Sequence, residues 1–245
     1  MKLSPKERAE IREAFQQMTL PQKLGYIFSY YRLPIVLGLV AVIVVVDVTY
    51  RQITKKEALL YVAYMNVSVG EELDGALSTD FVVHEGASPK KSEVSVYREL
   101  YLAMDPSTDN HQYAYASRLK LLASIESKTL DVVLMNREAY DILSHSGYLY
   151  DLTTILDRDD PLYSLLEPYL TENTVILEDN AIEYNLNEAD EYEAVTAEAV
   201  NGIDASAFPL FQDAGLSDSV YLGVIGNSPR LPAVFHYLEY LASAA

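Results

Sequence analysis

The most constraining feature of the sequence is an apolar stretch of 18 residues, 33–50, in which Asp47 is the single charged side chain. As an α-helix, this stretch would be about 27 Å long, close to the thickness of the hydrocarbon core of a bilayer. Tyr30 and Tyr31 lie at one end and Tyr50 at the other, where amphipathic rings favour the lipid headgroup region. The stretch therefore predicts a transmembrane helix over residues 33–50 that anchors the protein.

Two other interpretations of residues 33–50 remain open at this point. A cleaved secretory signal carries a short basic leader and small residues at its cleavage site. Here 32 residues come first, and residues 46–50 offer no such site. A buried parallel strand would explain why nine of the 18 residues are valine or isoleucine. Its strictly apolar core, residues 33–46, would however be exceptionally long for a strand, and we expect an anchor.

The distribution of charge predicts the orientation of this anchor. Residues 1–32 carry six basic and three acidic side chains, whereas residues 51–245 carry 12 basic and 32 acidic ones. Because basic flanks stay on the cytoplasmic side, we expect a cytoplasmic leader over residues 1–32. A capping-box pattern at its start predicts a short amphipathic helix over residues 4–18. Beyond the membrane we expect a linker and then an extracellular domain, residues 51–56 and 57–245 respectively.

The composition argues against several classes of function. With a net charge of −20, the outer part is not expected to bind nucleic acid. The chain has no cysteine, which excludes disulfides, thiol catalysis and zinc–thiolate sites. The four histidines show no metal-ligand spacing, and there is no glycine-rich phosphate-binding loop. We therefore expect a non-catalytic protein with no metal and no cofactor.

After the apolar stretch, strand and helix patterns alternate, which is typical of an α/β fold. Strands are predicted over residues 57–66, 93–104 and 130–136. Helices are predicted over residues 70–82, 111–127 and 137–145. A small antiparallel excursion is predicted from residues 174–177, 181–186 and 191–196. The predicted fold class is thus one N-terminal transmembrane helix followed by an α/β domain with a mainly parallel sheet.

The order of these segments resembles a known family. The run YASRLKLLASIESKTLDVVLMNREAYDILSHSGYLYDLTTIL resembles the first lobe of the extracellular solute-binding proteins of ABC importers. In that lobe a helix, a DVV strand, a helix and a GYLYDL step follow one another. The segment YLGVIGNSPR followed by LPAVFHYLEYL is similar to the returning strand and last helix of the same family. The resemblance covers residues 57–156 and 219–242 and implies a periplasmic-binding-protein-like lobe outside a Gram-positive type of cell.

The middle of the chain departs from that family. Solute-binding proteins have two full lobes, whereas residues 157–218 are too few for a second one. This middle region is also strongly acidic, since residues 159–227 contain 15 Asp or Glu and no Lys or Arg. The resemblance therefore implies a shortened, single-lobe form without a hinge that closes over a ligand.

A candidate ligand site follows from the predicted strands. Ligands of open parallel sheets bind beyond the carboxyl ends of the strands. Three predicted strands end in asparagine, and if these strands are neighbours their amides share one rim: Asn66, Asn136 and Asn227. Four tyrosines are candidates for the same site: Tyr97, Tyr113, Tyr115 and Tyr148. Amides and phenol rings suit a neutral polar ligand such as a sugar or a peptide. The alternative is that each asparagine caps the helix after its strand.

Two functions are compatible with these patterns. The first is a membrane-anchored extracellular module that captures a small polar solute or presents it to a transporter permease. The second is a structural or interaction subunit of an envelope complex that kept the fold without the ligand. The short middle region favours the second, whereas the asparagines and tyrosines favour the first.

Overall fold

The computed structural model describes residues 18–30, 32–103, 111–181, 191–214, 216 and 219–243. The chain divides into two compact units, Met1–Lys55 and Lys56–Ala245. Nearly all of the helix predicted over residues 4–18, and most of the strand predicted over residues 181–186, lie outside the described residues.

The first unit contains helix α1, Leu20–Tyr30, and helix α2, Arg32–Thr54. The predicted span lies within α2, and none of the window Arg32–Tyr50 is buried. The interpretation as a buried strand is therefore wrong, because this segment is helical and surrounded by no core. Among the described residues, α2 is the helix that is long and apolar enough to span a membrane.

Helix α2 runs further than the sequence predicted. It continues to Thr54, so the predicted linker over residues 51–56 is reduced to Lys55 and Lys56 before the first strand begins at Glu57. Pro34 lies in the first turn of α2, where the missing N–H removes no hydrogen bond within the helix.

The second unit is built on a single six-stranded sheet. Its strands are β1 (Glu57–Met65), β2 (Ser92–Leu100), β3 (Val132–Met135), β4 (Leu170–Asp179), β5 (Ala194–Asp204) and β6 (Tyr221–Val224). Their order across the sheet is β2-β1-β3-β6-β5-β4. Strand β1 is parallel to both β2 and β3, whereas the pairs β3–β6, β6–β5 and β5–β4 are antiparallel. Four of the six strands thus run in one direction, and the predicted excursion is the β4–β5 hairpin.

Helices cover both faces of this sheet. They are α3 (the consecutive segments Glu71–Gly75, Ala76–Asp80 and Phe81–His84), α4 (His111–Glu126), α5 (Arg137–His145), α6 (Leu152–Ile155), α7 (Pro161–Leu166), α8 (Pro209–Asp213) and α9 (Leu231–Ser243). Single turns of 3₁₀-helix occur at Glu167–Tyr169 and Ala205–Ala207. The middle segment of α3 is π-helical.

Strand β3 shows how the core is divided between the two faces. Val132 and Leu134 belong to a core that α3 and α9 also line. Val133 and Met135 belong to a second core, on the side of α4 and α5. Successive side chains of a strand point to opposite faces, so a strand covered on both faces is apolar throughout. The second unit is therefore a three-layer α/β/α sandwich.

Most of the β4–β5 hairpin extends beyond the other strands of the sheet. Strand β5 pairs with β6 through Ile203 and Asp204, but it pairs with β4 along its whole length, from Ala194 to Ile203. We call the two strands β4 and β5 the acidic ribbon. Gly202 lies where the ribbon departs, and a Cβ atom there would approach the Tyr140 ring to 2.5 Å. Glycine therefore allows α5 to pack directly against β5.

Candidate functional site

Two of the predicted site residues lie side by side at the carboxyl ends of β1 and β3. Met65 pairs with Met135 in the parallel ladder, so Asn66 and Asn136 follow at the same edge of the sheet. Strand β2 lies on one side of β1 and β3 on the other, so the chain reverses its direction of travel across the sheet here. Crevices at such reversal points are the usual ligand sites of open α/β sheets. Asn66 and Asn136 therefore lie next to each other at a reversal point of this kind.

The side chains of these two asparagines bond to the backbone of the fold. Asn66 Nδ2 donates to the Leu102 carbonyl at 2.6 Å, and the Leu102 N–H donates to Asn66 Oδ1 at 2.9 Å. Asn136 Oδ1 accepts from the Ala139 N–H at 3.0 Å and caps α5. Asn66 thus holds the segment that follows β2, and Asn136 is a helix cap, as in the alternative interpretation.

Asn227 lies at the opposite end of the sheet. Because β6 is antiparallel to β3, with Val224 opposite Val132, the residues after β6 lie beside the start of β3. Asn227 Nδ2 donates to the Ile125 carbonyl at 2.8 Å, and its Oδ1 is buried without a partner among the described residues. The three asparagines therefore do not share a rim.

The four predicted tyrosines are likewise divided between the two ends of the sheet. Tyr113 and Tyr115 lie on α4 and are exposed. The Tyr113 hydroxyl donates to the Glu99 carbonyl just before the end of β2, and its ring stacks on Tyr101 with a centroid distance of 6.4 Å. Tyr115 lines a cavity of about 180 Å³ together with Leu102, Ala103, His111, Ala114, Arg118 and Ile142.

The Tyr97 hydroxyl and the Tyr148 backbone lie toward the other end of the sheet. The Tyr97 hydroxyl donates to Thr129 Oγ1 at 3.2 Å, in the loop that leads into β3. The Tyr148 carbonyl accepts from the Gly226 N–H at 2.8 Å, just after β6. Both rings are half-buried against the core on the α4–α5 side. The structure therefore does not bring the seven predicted residues together.

Sequence reasoning missed a buried ionic cluster around Asp131, which is fully buried. Arg230 Nε and the Tyr61 N–H both donate to its Oδ2 at 2.9 Å, and Ser228 Oγ donates to its Oδ1 at 2.6 Å. The Arg230 guanidinium also lies over the Tyr61 ring, 4.6 Å from its centroid. Both oxygens of the buried carboxylate accept hydrogen bonds. Because the donors come from β1 and from the residues before α9, the cluster joins these two elements to the start of β3. An acidic residue opening an apolar strand is the signal that could have revealed it.

A second buried polar network fastens the acidic ribbon to α5. The Tyr140 hydroxyl donates to Asn201 Oδ1 at 2.9 Å, and Asn201 Nδ2 donates to Ser144 Oγ at 2.8 Å. Ser144 Oγ in turn donates to the Thr174 carbonyl at 2.8 Å. Burial raises the pKa of Tyr140 and favours its neutral, donating form. This network holds the base of the ribbon from inside the core, whereas the hydrogen bonds of Asn180 with Glu191 and Glu193 at the tip are exposed.

A polar cavity lies beside β2, the edge strand next to α3. Its volume is about 350 Å³, and hydroxyl groups and two cations line it: Ser78, Thr79, Ser92, Ser95, Lys56 and Arg98. Arg98 is paired with Asp74, with Nη2 to Oδ2 at 2.7 Å, and this hydrogen bond raises the pKa of Arg98. In the parts of the chain that the structure describes, no three His, Asp or Glu side chains group closely enough to hold a metal ion.

Comparisons of this chain with protein-family models, with curated proteins and with solved structures found no match. The resemblance to solute-binding proteins therefore remains a prediction from the sequence segments that carry it.

Proposed function

We propose that this protein is a membrane-anchored, non-catalytic interaction module, with its α/β domain outside the cell. Helix α2 supports the anchor, because its length and composition suit a bilayer and none of its apolar window is buried. The charge difference between residues 1–32 and 51–245 supports the orientation. On this proposal the domain belongs to an envelope complex and engages a protein rather than a solute.

The proposal of a protein partner instead of a solute rests on one observation. The amides best placed for a solute, those of Asn66 and Asn136, already bond to Leu102 and Ala139 within the fold. A ligand would have to displace these bonds, and breaking them leaves backbone groups unpaired. The adjacent cavity at Tyr115 holds about 180 Å³, whereas small-molecule sites typically hold about 300–1,000 Å³.

Solute binding is the second candidate, and the cavity beside β2 is the observation that favours it. Its 350 Å³ and its hydroxyl lining would suit a small polar solute such as a sugar. This location differs from the rim that the sequence predicted. Presentation of that solute to a transporter permease would then be the biological role.

Thermal unfolding of the full-length protein in nanodiscs, followed by tyrosine fluorescence, separates the two candidates. The protein is mixed in turn with each compound of a panel of sugars and short peptides. We expect that none of these compounds raises the Tm. Thr79→Trp fills the cavity beside β2, and Ala123→Trp on the exposed face of α4 is its matched control. A Tm increase that Thr79→Trp abolishes and Ala123→Trp preserves would establish solute capture instead.

Membrane extraction tests the anchor itself. We expect the protein to stay in the membrane pellet after alkaline carbonate washing, with an intact mass that includes residues 1–32. Release by carbonate would contradict an integral anchor. A mature chain that begins after residue 50 would show that the stretch is a cleaved signal.

A further inference from the structure

We propose that the far half of the acidic ribbon is a docking surface for a basic, extended segment of a partner protein, which adds as a third strand along the free edge of β5. We call this half, residues 175–179 and 194–198, the distal ribbon. The inference deepens the proposed function and rests on it, because it names the surface and the chemistry of the partner.

The first argument is the unpaired edge of β5. Residues 194–198 are exposed at all five positions, so neither face of this strand segment is covered. On one side it pairs with β4, while β6 meets β5 only at Ile203 and Asp204. Within the described ranges, no other strand pairs with residues 194–198. A two-stranded ribbon alone is marginally stable in water, and a third strand or a packed face stabilises it.

The second argument is charge. Four carboxylates lie in the distal ribbon or next to it: Glu178, Asp179, Glu193 and Glu198. No lysine or arginine occurs anywhere between residues 159 and 227. Three of these carboxylate residues line a depression of about 530 Å³ at the ribbon tip, together with Asn180, Ala194 and Val195. Lysine and arginine side chains of a partner would therefore meet acidic groups with no competing cation from the same segment.

The third argument is apolar exposure on the same segment. Leu177 is 61% exposed and Val195 is 58% exposed, although both belong to a β-ladder. Leu177 falls at the register shift between Ile176 and Glu178 and has no partner in the ladder, whereas Val195 pairs with Glu178. An added strand with alternating basic and apolar residues along β5 could place apolar side chains beside Val195 while its charges reach the carboxylates.

A second copy of the chain is a poor occupant of this edge. Two distal ribbons would bring like charges together, which opposes strand pairing and is a common protection of exposed edges. The partner is therefore a different protein with a positively charged strand-forming segment.

A synthetic peptide of alternating lysine and valine is the direct probe. We expect it to bind the full-length protein in uncharged phosphatidylcholine nanodiscs, measured by fluorescence anisotropy with empty nanodiscs as the blank. Binding should slow hydrogen exchange at backbone amides of residues 194–198, and it should weaken as ionic strength rises. A peptide with the same side chains but alternate N-methylated backbone should bind at least about tenfold more weakly, since it cannot continue the ladder.

Charge reversal on the protein tests the location. The ribbon variant combines Glu178→Lys, Glu193→Lys and Glu198→Lys, and it should lose at least about tenfold in affinity for the peptide. The matched control combines Glu126→Lys, Asp213→Lys and Glu239→Lys, which changes the net charge equally at exposed sites outside the ribbon. We expect the control to retain most of the binding.

Three results would overturn the proposal: no binding of the lysine–valine peptide, equal losses in the two triple variants, or equal affinity for the N-methylated peptide. The second would show a diffuse electrostatic attraction, and the third would exclude strand addition. None of them bears on the carbonate extraction or the solute panel, so failure of this surface is distinguishable from failure of the proposed function.

Discussion

At the scale of single residues, Asn136 shows how one side chain supports opposite interpretations. It follows an apolar strand, where ligand-binding amides occur, and it precedes a helix, where capping amides occur. Its Oδ1 accepts from the Ala139 N–H at 3.0 Å, and its backbone is extended as capping requires. The structure therefore assigns Asn136 to the stability of α5.

Replacing the Asn136 cap should lower the stability of the protein by a predictable amount. Asn136→Ala leaves the Ala139 N–H without its partner and should lower the free energy of unfolding by about 1 kcal/mol. Asn136→Asp retains an oxygen acceptor and should cost much less. Urea unfolding of both variants in detergent micelles measures the difference. Equal losses for Ala and Asp would contradict the capping role.

The residues that sequence reasoning found and missed differ in the range of their contacts. Asn136 bonds three residues away, so its alternative role as a cap was visible in the local pattern. Asp131 instead bonds to Ser228 and Arg230, which are 97 and 99 residues away. The hydrophobic pattern of the sequence cannot predict such a long-range contact, because the contact depends on where β6 is inserted in the sheet. Asn227 was misplaced for the same reason.

At the scale of elements, buried tyrosines join α3 to both α9 and β1. The Tyr237 hydroxyl donates to the Leu77 carbonyl at 2.9 Å, and the Tyr64 hydroxyl donates to Asp74 Oδ1 at 3.1 Å. Burial raises the pKa of both phenols, and the Asp74 carboxylate raises that of Tyr64 further. Both side chains are therefore held in their neutral form in the folded protein.

These raised pKa values predict a loss of stability at alkaline pH. Unfolded tyrosines ionise near pH 10, whereas the folded protein keeps these two protons at higher pH. Above about pH 10 the unfolded state binds fewer protons, so the free energy of unfolding should fall, by up to about 1.4 kcal/mol per pH unit for each phenol. Chemical unfolding at a series of pH values measures the slope. Tyr237→Phe should reduce it, and an unchanged slope would contradict this origin.

The ends of a helix or strand could be predicted where the residues that set them are its neighbours in sequence. Helix α5 occupies Arg137–His145, as predicted, because a cap precedes it and Ser146-Gly147 ends it. The direction of β6 could not be predicted, since a short apolar run looks the same in a parallel or an antiparallel pair. The two ribbon strands are longer than expected because both of their faces meet solvent toward the tip, which removes the apolar–polar alternation.

At the scale of the whole molecule, charge and hydropathy separate the chain into a basic leader, an apolar helix and an acidic domain. This separation was readable from composition alone, since it needs no tertiary contact. The absence of cysteine makes the proposed orientation easy to test, because any introduced thiol is unique.

Single-cysteine labelling provides that test in intact cells. Glu126→Cys lies on an exposed position of α4, and Ser4→Cys lies in the leader. A membrane-impermeant maleimide should modify the first variant in intact cells and the second only after the membrane is permeabilised, because the basic flank stays inside. Labelling of Ser4→Cys alone in intact cells would reverse the proposed topology.

The position of β6 has a consequence for biosynthesis. This four-residue strand is the last of the described strands along the sequence, yet it is inserted between β3 and β5. Until it arrives, the sheet exists as two separate halves, and the Asp131 carboxylate lacks Arg230. Closing such distant contacts is slow compared with forming local helices. The domain therefore cannot complete its sheet or pair Asp131 with Arg230 until residues 221–230 have been synthesised, which makes closure of the sheet a late step of folding.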